Sequence, residues 1–162
     1  MIKDITEWIA QLQQQTQAHQ QTCEVLAPQL NGYFPADFLQ QSRFMVVDNL
    51  PMPSLSGIKG VLAKRWLPKE LSAIAYPGCY YILRSEQQNW SEHCRQLVHL
   101  AQLQHLGTEA YLTLLYQQVS EQGFEQASLI KMAGQVAQHF EQGSNLSNIP
   151  ALIKQSLATA EA

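Results

Sequence analysis

The sequence predicts an α+β fold, mainly helical, with a small antiparallel sheet or hairpin packed beside one central helix. Three observations lead there. Apolar residues recur at helical spacing from Asp4 to Leu30 and again from Trp90 onward. Arg43-Phe44-Met45-Val46-Val47-Asp48 is a short run rich in β-branched residues. Pro77-Gly78 separates two further apolar runs and suits the central positions of a type II turn. The 162 residues fit one domain. Its parts are an N-terminal helix (1–30), a small β region (43–84), a helical core (90–142) and a C-terminal helix (149–158).

In the first helix, Ile5, Trp8, Ile9, Leu12, His19, Cys23, Leu26 and Leu30 form the stripe. Gln11, Gln13, Gln14, Gln15, Gln17, Gln20 and Gln21 form the wet face, and Pro28 ends or kinks the helix. Asn31-Gly32 and Pro35 then break it. The strand at Arg43 closes on Asn49-Leu50-Pro51-Met52-Pro53, where two prolines exclude helix, and Ile58 to Ala63 is a candidate second strand. Ala73–Tyr76 and Cys79–Arg84 form the hairpin, with Tyr76, Tyr80 and Tyr81 as packing residues or the lining of a groove. Ser91 is the expected N-cap of the next helix and Gly107 its stop. Helices from Thr108 to Gly123 and from about Ala127 to Gln142 follow, then the short one from Ile149 to Ala158.

Composition excludes several classes. Gln, with 23 copies, outnumbers the 13 acidic and 10 basic residues, and the net charge is −3. Without Lys/Arg clusters there is little field to draw nucleic acid. No apolar stretch approaches a membrane span, and Met1 to Glu7 lacks the basic and apolar regions of a secretory leader. Cys23, Cys79 and Cys94 are widely spaced and form no Cys-x-x-Cys pair, so they read as reduced, buried thiols of a cytoplasmic protein.

The helix from Trp90 to Leu106 holds the candidate chemistry. At 100° per residue, Trp90, Cys94, Leu97, Val98 and Ala101 share one face. Glu92, Arg95, Gln96 and His99 gather on the opposite face, which Leu103 and Leu106 continue. A helix apolar nearly all round is central to its domain, and polar groups at one point on it form a cleft floor or a buried network. His93, His99 and His105 step by six residues, so their rings point in three directions and cannot share an ion. Cys94 next to His93 makes no dyad, because adjacent helical side chains diverge.

Leu97-Val98-His99-Leu100-Ala101-Gln102-Leu103-Gln104-His105-Leu106-Gly107 resembles the second half of H-E-L-V-H-V-x-Q-x-x-x-L-G, a motif of small bacterial zincin-like metallopeptidase domains. Arg43-Phe44-Met45-Val46-Val47 with Leu50-Pro51-Met52-Pro53 is similar to that family's strand and iPlP turn. Tyr80-Tyr81-Ile82-Leu83-Arg84 is similar to its G-x-T-x-G-x-x-I-y-l-r segment. Gly123-Phe124 and Ser128-Leu129, closing on Ala133, sit where the family has G-Y and N-P-L-E-x-E-A. The resemblance covers about Phe34 to Ala133, in order.

It implies a zincin-like helix whose two motif histidines and a later acid hold zinc, with the motif Glu as general base. Aligned on His99, the first ligand position holds Arg95, the base position Gln96, and the acidic positions Ile130 and Met132. A guanidinium ligates no cation and Gln takes no proton, so the resemblance implies a domain without catalytic residues, metal or cofactor. Its vestigial cleft would comprise Glu92, Arg95, Gln96, His99 and Glu125, acting as a binding or structural module for an unidentified protein or peptide. Arg95 is expected to pair with Glu92 or Glu125, and Arg95 or Gln96 to hydrogen-bond His99 or a nearby carbonyl. The alternatives are a metal-dependent hydrolase with a relocated site, using His99 with Glu92, Glu125 or His139, and a helical interaction module unrelated to zincins.

Overall fold

The computed structural model describes residues 2–53 and 70–161. The helices are α1 (Ile2–Thr16), α2 (Ala36–Gln41), α3 (Trp90–Leu106), α4 (Thr108–Gln122), α5 (Ser128–Glu141) and α6 (Ile149–Glu161). The strands are β1 (Gln21–Thr22), β2 (Arg43–Val47), β3 (Ala73–Tyr76) and β4 (Cys79–Leu83). The fold is α+β and mainly helical, as the periodicity predicts. The candidate strand Ile58–Ala63 lies outside the described residues. Among those described, no helix is long and apolar enough to cross a membrane.

The sheet has the order β1-β2-β4-β3 and is mixed, not antiparallel. β3 and β4 form the expected hairpin, with Tyr76 opposite Cys79 across a turn in which Gly78 takes φ +76°. A side chain there would be strained, which is why the turn needs glycine. β2 lies parallel to β4, Phe44 beside Tyr80 and Val46 beside Ile82. A hairpin can be read from its turn, whereas a parallel neighbour is chosen by burial between distant segments. β4 is central, and Cys79, Tyr80, Tyr81 and Ile82 are all buried. Tyr80 and Ile82 face the main core with α3, while Cys79 and Tyr81 face α1. Tyr80 and Tyr81 are thus buried packing residues, while Tyr76 also lines the cavity described below.

The N-terminal helix stops at Thr16 instead of running to Leu30. Ile9 and Leu12 bury against the outer face of the sheet, but Cys23, Leu26 and Leu30 belong to the core on the other side. One straight helix cannot serve both layers. The chain turns through Gln17–His19, pairs β1 with β2, and continues in 3₁₀ turns over Cys23–Gln29, with Pro28 inside. His19 is exposed and does not continue the stripe. Thr16 Oγ1 and Tyr81 Oη meet at 2.8 Å, and the Gln13 amide donates to the Pro77 carbonyl, fastening α1 to the hairpin.

α3 lies against α5, α6 and the inner face of the sheet. Its N-cap is Asn89, whose side chain accepts from Glu92 N, not Ser91. Ser91 is already inside the helix, and its hydroxyl reaches Glu141 Oε1 at 2.8 Å. Gly107 ends α3 at φ 83°, ψ 158°, a backbone region open to glycine alone. The three histidines diverge as their spacing requires: His93 enters the core, His99 faces a cavity and His105 is exposed. The three cysteines are free and buried, and burial pushes the Cys79 and Cys94 thiols up to about 12.

His93 is held at both nitrogens. Nε2 donates to the Gln87 carbonyl at 2.8 Å, so Nδ1 is the lone pair that accepts from Tyr80 Oη at 2.6 Å. Tyr80→Phe strips that acceptor of its donor inside the core. Urea unfolding is expected to show a loss of about 1–3 kcal/mol, the cost of an unsatisfied buried polar group.

Candidate functional site

A cavity of about 870 Å³ opens beside α3, within the size range of small-molecule and peptide sites. Its floor is the polar face of α3, with Glu92, Arg95, Gln96 and His99. Ile5 and Ile9 of α1 and Tyr111, Leu112 and Leu115 of α4 supply apolar walls. Ile130 and Gly134 of α5 close a third side, and Glu125 stands exposed at the rim. β3 forms the remaining side. Among the described residues no strand pairs with its outer edge. The register, together with Leu83 N donating to the Ser72 carbonyl, turns the backbone groups of Ser72, Ile74 and Tyr76 toward β4. Those of Ala73 and Ala75 therefore point to the free edge.

All five residues singled out on the sequence line this cavity. Glu92 organises the upper floor: Oε2 accepts from Arg95 Nε at 3.0 Å and Oε1 from Gln96 Nε2 at 3.0 Å. Arg95 thus takes the nearer of its two expected carboxylates, one turn away on the same helix. Its guanidinium lies over Gly134, where Nη1 would stand 3.5 Å from a Cβ placed on that residue. A Cβ there would make only ordinary van der Waals contact with the guanidinium, which packs close against α5.

Among the described residues neither Arg95 nor Gln96 bonds His99 or a backbone carbonyl, contrary to expectation; both bond Glu92. The Glu92 carboxylate is the stronger acceptor and takes both donors. His99 turns instead to Gln102, three residues on, with Nδ1 2.9 Å from Oε1. Gln102 Nε2 donates to the Leu129 carbonyl at 3.0 Å, so its other terminus is the carbonyl oxygen. His99 Nδ1 must then bear the proton, and Nε2 presents a lone pair. Tyr111 Oη, 3.3 Å from Nδ1, completes the setting. Burial, helped by the nearby Arg95 charge, holds His99 down to about 4 against a bonded Gln102 that favours protonation. Burial also raises the Tyr111 phenol, so both rings are neutral at pH 7.

Gln102 and Tyr111 were not anticipated as parts of the site. The first carried a signal, an amide three residues after His99 on the same helix. The second, on α4, carried none. His139 is exposed and lies outside the cavity, so the structure does not gather it with His99. Among the described residues no three His, Cys, Asp or Glu side chains stand close enough to share a metal ion. Comparison with known protein families, with curated proteins and with solved structures finds no match to this chain.

The His99 setting has a consequence for stability. The unfolded chain binds a proton near the ordinary value of 6.5, whereas the native ring resists one until about 4. Stability is therefore full above pH 6.5 and falls as the pH drops toward 4, by on the order of 3 kcal/mol from this group. Urea unfolding between pH 7.5 and 4.5 is expected to show that slope. His99→Gln should flatten it, while the smaller contribution of the likewise lowered His93 persists.

Proposed function

We propose that this chain is a zincin-like domain that has exchanged catalysis for binding, its metal-free cleft holding an extended ligand beside the free edge of β3. The observation that carries the reading is the company Ile130 keeps. The resemblance aligns Ile130 and Met132 with the family's two acidic positions, one of which completes the zinc site, and of these Ile130 lines one cavity with Arg95, Gln96 and His99, the counterparts of the other three site residues. His99 also keeps the orientation of a ligating histidine, Nδ1–H tied to a neighbour and Nε2 bare. Around it stand a guanidinium, an amide and an alkyl group. A cation beside Arg95 would meet repulsion, and the Glu92 carboxylate is committed to Arg95 and Gln96.

What remains is a cleft with apolar walls, a polar floor and a strand edge that no described strand covers. The Ala73 and Ala75 backbone groups at that edge offer main-chain hydrogen bonds to an extended peptide. The pocket beneath would receive its side chains.

Two measurements test the reading. Elemental analysis of the untagged protein, with thermal melting in added Zn²⁺, is expected to give less than stoichiometric zinc and an unchanged melting temperature. Stoichiometric zinc, or a rise of several degrees, overturns it. The double variant Arg95→His with Ile130→Glu should acquire zinc binding, because it restores three ligands. At a thousandfold excess over Kd, such binding stabilises by about 4 kcal/mol. A folded double variant that ignores zinc removes the correspondence on which the proposal stands.

A further inference from the structure

Resting on the binding reading above, the geometry points to a neutral carboxamide on an apolar body as the group the cleft floor recognises. Gln96 supplies the first observation. Its Nε2 donates to Glu92, which fixes the amide orientation and leaves Oε1 as an acceptor. That oxygen is buried and has no partner, the one such side-chain atom among the described residues. An orphaned acceptor of this kind is costly and rare in a native fold. His99 supplies the second, since Nε2 bears a lone pair and meets no donor among the described residues. The third is Arg95, which gives only Nε to Glu92 and keeps its Nη donors beside Gly134.

Among the described residues, about one turn of α3 thus holds two acceptors without donors next to Arg95 Nη donors without an acceptor. A carboxylate would satisfy Arg95 but set its oxygens against Gln96 Oε1, His99 Nε2 and the Glu92 carboxylate. An ammonium would satisfy the acceptors but stand beside the guanidinium. A carboxamide meets both needs without net charge: its oxygen accepts from Arg95 Nη, and its N–H groups donate to Gln96 Oε1 and His99 Nε2. The apolar side chains around the floor, Ile5, Leu103, Leu115 and Ile130 among them, would cover the rest of the ligand. A Gln or Asn side chain, or a peptide-bond amide, carries this chemistry.

Four probes of one chain length separate the alternatives on the full protein at pH 7: hexanamide, hexanoate, hexylammonium and methyl hexanoate. Titrations followed by NMR read affinity from the cleft resonances, and the His99 Nε2 nitrogen shift reports a donor arriving there. Hexanamide is expected to bind about tenfold more tightly than the ester, the worth of one to two net hydrogen bonds, and to move His99 Nε2. Gln96→Met should abolish the amide preference while retaining ester binding. Equal or tighter binding of hexanoate, hexylammonium or the ester overturns the inference. Ester binding in the cleft without an amide preference removes the carboxamide and leaves the binding cleft standing. Silence of the cleft resonances toward all four removes both.

Discussion

The bond from Gln102 Nε2 to the Leu129 carbonyl ties α3 to the first turn of α5, and the state of the cleft floor follows from it. An amide that donates at one end must accept at the other, so Gln102 Oε1 faces His99 and draws the proton onto Nδ1. That leaves Nε2 bare. Because the site is buried and Arg95 lies near, the ring stays neutral at pH 7 and the lone pair is permanent under ordinary conditions. A single interhelical contact in this way fixes a tautomer, a charge state and the polarity offered to whatever occupies the cleft.

Two turns before His99, Glu92 plays the corresponding part with opposite sign. Its carboxylate holds Arg95 and Gln96 at once, so a cation and an amide share one anion. The upper floor is close to neutral. Such an arrangement suits recognition by hydrogen bonds more than by charge.

The sequence made much of this legible. The helices from Trp90 onward follow from apolar period and glycine stops, and the hairpin from Pro77-Gly78 between two apolar runs. The polar face of α3 emerged from helical geometry alone, and its four members do lie on one cavity, with Glu125 at the rim. The misreadings share a physical origin. The apolar stripe continues past Thr16 without a break in period, yet Cys23 and Leu26 bury in a different layer from Ile9 and Leu12. Period records that a residue is buried, not in which core. The parallel pairing of β2 with β4 was hidden likewise, since nothing local specifies a partner so distant. The expected bond to His99 failed because three side chains compete within two turns, and the anion wins the donors nearest to it.

The parallel pair also bears on how the chain reaches its fold. β3 and β4 are joined by a two-residue turn and can close on the microsecond scale of isolated hairpins. β2 must find β4 across everything from Asp48 to Gly78, and β1 reaches the sheet only through β2. Loop closure of that kind is opposed by entropy before any contact repays it. Chain entropy thus favours closing the β3–β4 hairpin before the β2–β4 pair. Until β2 arrives, the edge of β4 that it will cover is open to a foreign strand, and a long loop closure prolongs that exposure to mispairing.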